Sequence, residues 1–450
     1  MATATLTEGS LPKQIRGIAL PLSIGFFFNT MYNVVDSFYA GQVSTSALAA
    51  MALSFPVFFI ILALSEGVAR GTSALVAGAI GAEDSEKESI LTIQVFSLGL
   101  IFAISMTFIG LGAAEPLFKL MGATGPALEV AVQYIQPLFI GSSFFLLSSL
   151  SNAILLAHGD SKTYSKVLIA GFFLNLIFNP WFLYGGFGIP ALGVAGIAWA
   201  TVVIQALGGL FLFSVILRRG YVKLGDLLKQ RPQLKVYGEI LRQGIPTSFS
   251  FMSIALGFFV TTYFLNTFGE VAVAAFGVGT RIEQIALLPA IGLGSAIVSI
   301  VGQNNGAGKM DRVQACVRLC VRYGFFLIIS ASVPLFFFAK QLVGVFTDDP
   351  AVIEAGAVYI KIMAFIQWSY VVTFIYAGFL QAVKRPGYGF VESVIRKIVL
   401  PIAVFYLLVK VFDVGLNSFW FGMVGINVTM ALVTVLYGRW MLKRLVSGSL

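Results

Sequence analysis

The sequence predicts an all-α membrane protein of twelve transmembrane helices in two pseudo-symmetric six-helix lobes, and three observations carry that prediction. Hydrophobic residues make up 58% of the chain and charged residues only 11%, with a mean hydropathy of +0.92. A soluble domain is roughly a quarter charged and has no interior large enough to hide so much apolar side chain. Apolar runs long enough to cross a hydrocarbon core, about 20 residues each, recur along the whole chain. The basic residues, finally, collect at every second connection between those runs, and so on one side.

Taken in order, the candidate spans are 18–40, 47–79, 90–114, 127–157, 166–184 and 191–217 in the first half. In the second half they are 240–265, 271–301, 314–339, 352–382, 390–410 and 418–441. The N-terminus is polar through Ser10, and Lys13 and Arg16 then precede the apolar stretch from Ile18. That is the outline of a signal peptide, but so many similar stretches follow that it reads as the first span.

Numbering the connections alternately tests the count, because Lys and Arg collect on the cytoplasmic side. One side takes 23 of the 29 basic residues, from Lys13 and Arg16 to Lys443 and Arg444; the other takes only Lys119, Lys340 and Lys410. One span more or fewer would scramble that division. It predicts a multi-pass protein of the cell inner membrane with both termini in the cytoplasm. The formal charge of +9 is therefore a topology signal, and no nucleic-acid partner is expected. The expected surroundings are the lipid bilayer, around a chain acting as a monomer.

The longest charged stretch, Arg218 to Arg242, lies midway and reads as a cytoplasmic linker. The expected division is an N-terminal lobe of residues 1–217, a linker of 218–239 and a C-terminal lobe of 240–450. The lobes resemble each other at a shift of about 225 residues. Pro21 matches Pro246, Pro126 matches Pro350, Tyr134-Ile135 matches Tyr359-Ile360, and GAIGAED (78–84) matches QNNGAGKMD (303–311). Six spans per copy is an even number, so the copies share one orientation and are related by an axis along the membrane normal, with a central cleft expected between them.

Ionisable residues inside spans cost several kcal/mol at mid-bilayer and so point to function. Asp36 lies in the first span with Asn33 and Asn29 three and seven residues earlier, all on one helical face, and Tyr32 beside them. Asn175 and Asn179 form an i, i+4 pair in the fifth span, and Thr201 and Gln205 another in the sixth. The repeat serves as a control. Asp36 falls opposite Thr261 or Thr262, Asn175 opposite Leu400 or Pro401, and Asn179 opposite Val404 or Phe405, so the polar cluster belongs to the first lobe alone. A lone acid beside amides suits reversible binding of a proton or Na⁺, and the competing reading is a plain interhelical hydrogen bond.

In the eighth span Arg281 and Glu283 are two apart, hence on different faces, and either lines a cleft or serves the fold. Glu66 with Arg70 and Glu392 with Arg396 have the i, i+4 order of structural ion pairs. His158, in the connection HGDSKT, reads as a solvated loop residue. Pro21 interrupts the first span and permits a kink, static or moving, on the helix that carries Asp36. Cys316 and Cys320 sit one turn apart with no His nearby, which suits two buried thiols better than a metal site. Aromatic residues are 14% of the chain; most face lipid or pack helices, and some suit a cleft for flat, apolar or cationic compounds. The sequence has no HExxH, GxSxG or GxxxxGK[ST] motif, so no enzyme and no cofactor is expected, and energy would come from an ion gradient or from another subunit.

Over essentially its whole length the chain resembles the multidrug and toxic compound extrusion (MATE) family, in its prokaryotic branch. The resemblance rests on the repeat, on GAIGAED and VGQNNGAGKMD after the second and eighth spans, and on HGDSKT after the fourth. It rests also on Asn179-Pro180 and the stretch ALGVAGIAWAT (191–201). It implies secondary active efflux of small organic, often cationic, compounds in exchange for H⁺ or Na⁺, by alternating access. It also implies that Asp36 is the coupling acid, that Asn175, Asn179 and Thr201 complete its site, and that Pro21 stands where the first helix bends. Where the family usually has Asp-Pro in the fifth span, this chain has Asn179-Pro180, and that departure favours H⁺ over Na⁺. A flippase for a lipid-linked or polyprenyl-linked substrate is the alternative within the same superfamily, and it would more typically show extra spans or a strongly basic cavity. A membrane enzyme and a passive channel are the readings from other classes.

Overall fold

A computed structural model describes residues 6–186 and 188–449; the side chains of Thr45, Ser46, Leu48, Ala49 and Leu228 are outside the description. The described chain is helical almost throughout. Helices α1 (Leu11–Val43), α2 (Thr45–Gly81), α3 (Ser85–Leu120), α4 (Gly125–Ile140), α5 (Ser142–Ala157), α6 (Lys162–Tyr184) and α7 (Val194–Arg218) make up the first half. The short α8 (Leu224–Lys229) sits in the linker. The second half has α9 (Leu234–Leu265), α10 (Glu270–Gly306), α11 (Met310–Phe337), α12 (Ala339–Gly344), α13 (Pro350–Ala364) and α14 (Gln367–Ala382). It ends with α15 (Gly387–Val394), α16 (Leu400–Tyr406) and α17 (Leu416–Val446).

Nine of the described helices are long and apolar enough to cross a membrane singly. The fourth and tenth spans are bent pairs, α4 with α5 at 48° and α13 with α14 at 52°. The eleventh is helical from 387 to 411 but changes to π-helix at Ile395–Val399 and Leu407–Val411. The twelve-helix, two-lobe membrane fold follows. Spans extend beyond their predicted limits at most ends, because helices continue past the apolar core into polar caps. Ser44 caps α2 by accepting from the Ala47 N–H, and Asp84 caps α3 by accepting from that of Lys87. Large apolar side chains such as Phe108, Ile109, Phe259 and Phe337 point outward at 69–75% exposure, as lipid-facing residues do.

By internal contacts the chain divides into two compact units, Ile24–Ser248 and Ala2–Ser23 with Phe249–Leu450. α1 and α9 each pass from one unit to the other partway along their length. The first unit packs around Ile61, Phe118, Ile135, Leu138 and Ile197 at one level and Val76, Leu91, Ile154, Leu212 and Ile240 at another. In it the linker is tied down. Gln94 of α3 donates to Gln230 Oε1 and to the Arg231 carbonyl and accepts from the Gln233 N–H, all at 3.0 Å. The second unit packs around an aromatic cluster of Phe276, Tyr359, Phe405, Phe419 and Trp420. Cys316 and Cys320 are buried free thiols of α11.

Candidate functional site

Three helices of the first unit converge on Asp36. α1 approaches α6 at Gly25, where a Cβ would lie 3.1 Å from the Ser165 Cα, and Phe28 meets Phe172 edge to face at 5.4 Å. α7 closes on the end of α6 because Gly196 has no Cβ to strike the Leu183 nitrogen, and the turn is fixed by Leu192 N–H donating to the Phe182 carbonyl at 3.0 Å. The i, i+4 spacing then sets Asn175 and Asn179 one above the other on the α6 face turned to α1.

The Asp36 carboxylate is 4% exposed. Its Oδ1 accepts from Asn175 Nδ2 and Asn179 Nδ2, each at 2.8 Å, and its Oδ2 accepts from Thr201 Oγ1 at 3.5 Å. Tyr32, one turn before Asp36, donates its hydroxyl to Thr201 Oγ1 at 3.0 Å. Every hydrogen-bond partner recorded for the carboxylate is neutral. Oδ1 of Asn175 and Oδ1 of Asn179, both fully buried, have no hydrogen-bond partner among the described residues. Beside the carboxylate lies a cavity of about 120 Å³, onto which Asn29, Tyr32, Asn33, Asp36, Thr201 and Gln205 face. Its apolar wall includes Phe55 and Phe58 of α2, Tyr134 of α4 and Phe145 of α5.

The structure thus brings together Asp36, Asn175, Asn179 and Thr201, with Tyr32 supporting Thr201 and Asn29, Asn33 and Gln205 lining the cavity. Asn33 does not bond to Asp36; its amide donates to the Asn29 carbonyl one turn back. Pro21 stands inside α1, which continues as helix through it. Arg281 and Glu283 belong to the other unit and point apart: Arg281 is exposed, while Glu283 is buried and accepts from Tyr359 at 2.9 Å and Gln367 at 3.2 Å. Glu66 and Arg70 lie 3.8 Å apart, and Glu392 accepts from Arg396, so both i, i+4 ion pairs form. His158 is not a solvated loop residue. Its side chain is 4% exposed, because it stacks on Tyr221 at 3.6 Å and meets Glu88 of α3 at 2.9 Å. Tyr134 was legible only as a repeat position: it faces the acid-lined cavity of one unit, as Tyr359 bonds to the buried Glu283 of the other.

Among the described residues no three His, Cys, Asp or Glu side chains are grouped to hold a metal ion. The arrangement instead offers one buried carboxylate, neutral hydrogen-bond donors around it, and an aromatic-walled cavity at its side. That chemistry suits a reversible charge on Asp36 next to a bound organic compound.

The MatE family model matches residues 21–181 and again residues 246–407, two copies offset by 225 residues. The probable multidrug resistance protein NorM of Thermotoga maritima is 26% identical over 438 residues, 95% of this chain and 93% of that one. The FAD transporter of Shewanella oneidensis is 27% identical over 400 residues, 88% and 87% of the two chains. Among solved structures, the outward-facing conformation of a multidrug resistance MATE family transporter of the MOP superfamily superposes with a TM-score of 0.92 at 27% identity, covering 99% of each chain. With its twelve membrane helices, its twofold repeat and matches along both copies, the chain belongs to the MATE family of multidrug efflux transporters, and it is a transporter rather than an enzyme.

Proposed function

We propose that the chain is a secondary active exporter that exchanges H⁺ for small organic, often cationic, compounds by alternating access, with Asp36 as the coupling acid. The observation that carries this reading is a buried carboxylate with only neutral partners, opening on an aromatic cavity. Oδ1 already accepts two amide hydrogens, whereas Oδ2 has one long contact, so an incoming proton goes to Oδ2. Hydrogen bonds to an ionised group contribute about 1.5–3 kcal/mol and those to a neutral one about 0.5–1.5. Protonation therefore loosens the hold of α6 and α7 on α1, and that is the step by which an ion gradient biases the conformation. A cation over the ring of Phe55, Phe58, Tyr134 or Phe145 gains about 0.5–2 kcal/mol, and it competes with the proton for the charge of Asp36.

Two substrate classes are set against each other by the relatives, whose names include multidrug resistance and FAD transport. The cavity carries an acid and no recorded basic residue, so it favours a flat organic cation over an anionic flavin dinucleotide. A lipid-linked flippase gains no support from the small, acid-lined cavity. Export of a cationic dye from reconstituted vesicles tests the reading; transport of FAD with no transport of cationic dye would reverse the substrate assignment.

The proposed orientation places both termini and the Arg218 to Arg242 linker in the cytoplasm of a protein that works as a monomer in the inner membrane. Protease added to right-side-out cells is then expected to leave the linker intact and, after permeabilisation, to cut it. Cutting in intact cells would invert the topology.

A further inference from the structure

Four residues of the QNNGAGKMDR region are turned to the segment before α1. The Leu6 N–H donates to Gln303 Oε1 at 2.8 Å, and the Leu6 carbonyl accepts from Asn304 Nδ2 at 3.1 Å and Arg312 Nη2 at 3.2 Å. Lys309 Nζ donates to the Thr7 carbonyl at 3.2 Å, and Arg312 Nη1 to that of Gly9 at 3.0 Å. Arg312 Nη2 also reaches the Glu8 carbonyl at 3.4 Å and Gln14 Oε1 at 3.2 Å, while Asn304 Oδ1 holds the guanidinium in place at 2.9 Å. Nearly all of these bonds land on main chain, so the segment is gripped by its backbone.

The grip continues along α1. At Gly292 of α10 a Cβ would lie 2.5 Å from Ser23 Oγ and 2.7 Å from the Ala19 carbonyl, so the first half of α1 sits directly on that helix. The repeat supplies an independent check. Shifted by 225, Gly292 and Ser23 become Gly67 and Ser248, and a Cβ at Gly67 would lie 2.5 Å from the Ser248 nitrogen. Arg312 and Gln14 become Lys87 and Glu239, which lie 3.5 Å apart. Each repeat thus gives the first half of its first helix to the other repeat's second and third helices. The handover from unit to unit falls at Ser23–Ile24 in α1 and at Ser248–Phe249 in α9, two residues after Pro21 and Pro246.

We propose that Gln303, Asn304, Lys309 and Arg312 form an anchor for α1 that transport needs, with Arg312 as the principal positioning residue. The anchor holds the first half of α1 in one unit. The second half carries Asp36 in the other. A change of hydrogen bonding at Asp36 then has to be taken up at the Ser23–Ile24 handover, two residues past Pro21, whereas a free helix end would drift and lose it. The inference rests on the proposed ion-coupled export and adds a part that lies outside the site.

The test uses the full chain in proteoliposomes, with a deletion of residues 2–9, Arg312→Gln, and Arg312→Lys as the conservative variant. Gradient-driven turnover is expected to fall about tenfold in the first two, a coupling loss of ordinary size. The concentration of cationic dye at half-maximal rate should stay within about twofold of wild type, as for an interaction outside the binding step, and Arg312→Lys should recover most of the rate. Hydrogen exchange should rise at residues 11–23 and stay unchanged at Lys162–Tyr184. Full turnover in the deletion variant would overturn the proposal, as would unchanged exchange at 11–23 or a loss confined to dye affinity. If wild type exports dye under neither a pH nor a Na⁺ gradient, the export reading fails instead, and the exchange measurement still decides whether the anchor exists.

Discussion

Asp36→Asn is expected to reduce gradient-driven export to the rate of empty vesicles while leaving expression and thermal stability close to wild type. The geometry explains the separation of the two effects. Asparagine can keep its oxygen where Asp36 Oδ1 now accepts from Asn175 and Asn179 at 2.8 Å, and can turn its amide nitrogen toward Thr201 Oγ1. What it cannot do is alternate between charged and neutral. Exchanging ionic for neutral hydrogen bonds costs about 1 kcal/mol, and removing a charge from the membrane interior offsets that cost. The repeat makes the same point, since the matching position in the second half is Thr261 or Thr262. Melting temperature by fluorescence and export of a cationic dye, measured on one preparation, check it; full export by the mutant would remove Asp36 from the coupling step.

Asn179→Asp is expected to turn the site toward Na⁺. The new carboxylate would stand within hydrogen-bond distance of Asp36, where two negative charges cannot both persist without a proton or a cation between them. Hard oxygen ligands are already close: Thr201 Oγ1, and the Oδ1 of Asn175, which has no hydrogen-bond partner among the described residues. Sodium prefers such oxygens, as other hard cations do. The variant should therefore gain export under a Na⁺ gradient and gain thermal stability from added NaCl relative to choline chloride, by about 2.7 kcal/mol at a hundred times the dissociation constant. Wild type should show little of either. A variant that ignores Na⁺ would show that the missing second acid does not set ion choice.

The span count was legible because membrane insertion is read from local hydropathy, and the polar cluster because Asp36, Asn175, Asn179 and Thr201 are conspicuous inside apolar runs. Tyr32 was placed beside the cluster by sequence alone, but its bond to Thr201, 169 residues away, was not readable. Phe55, Phe58 and Phe145 line the cavity with the same residue type that faces lipid elsewhere, so composition could not single them out. The bends of the fourth and tenth spans show why local rules run out. One falls at Gly141, four residues after Pro137, whereas the other falls at Phe365-Ile366, with neither glycine nor proline there. The second bend has to come from packing. His158 was misplaced for a related reason: its loop position says nothing of Tyr221, which stacks on it from the far side of α7 in sequence. The exchange of half-helices was equally hidden, although Gly67 and Gly292, 225 residues apart, are its trace in the sequence.

Transport under a single gradient tests the central claim most directly. Purified protein in proteoliposomes is given a pH gradient in Na⁺-free buffer, and in a parallel preparation a Na⁺ gradient at equal pH on both sides, with efflux of a cationic dye as the readout. Coupling through Asp36 as the only acid of its cluster predicts export in the first preparation and little in the second. Export that requires Na⁺ and ignores the pH gradient would contradict it.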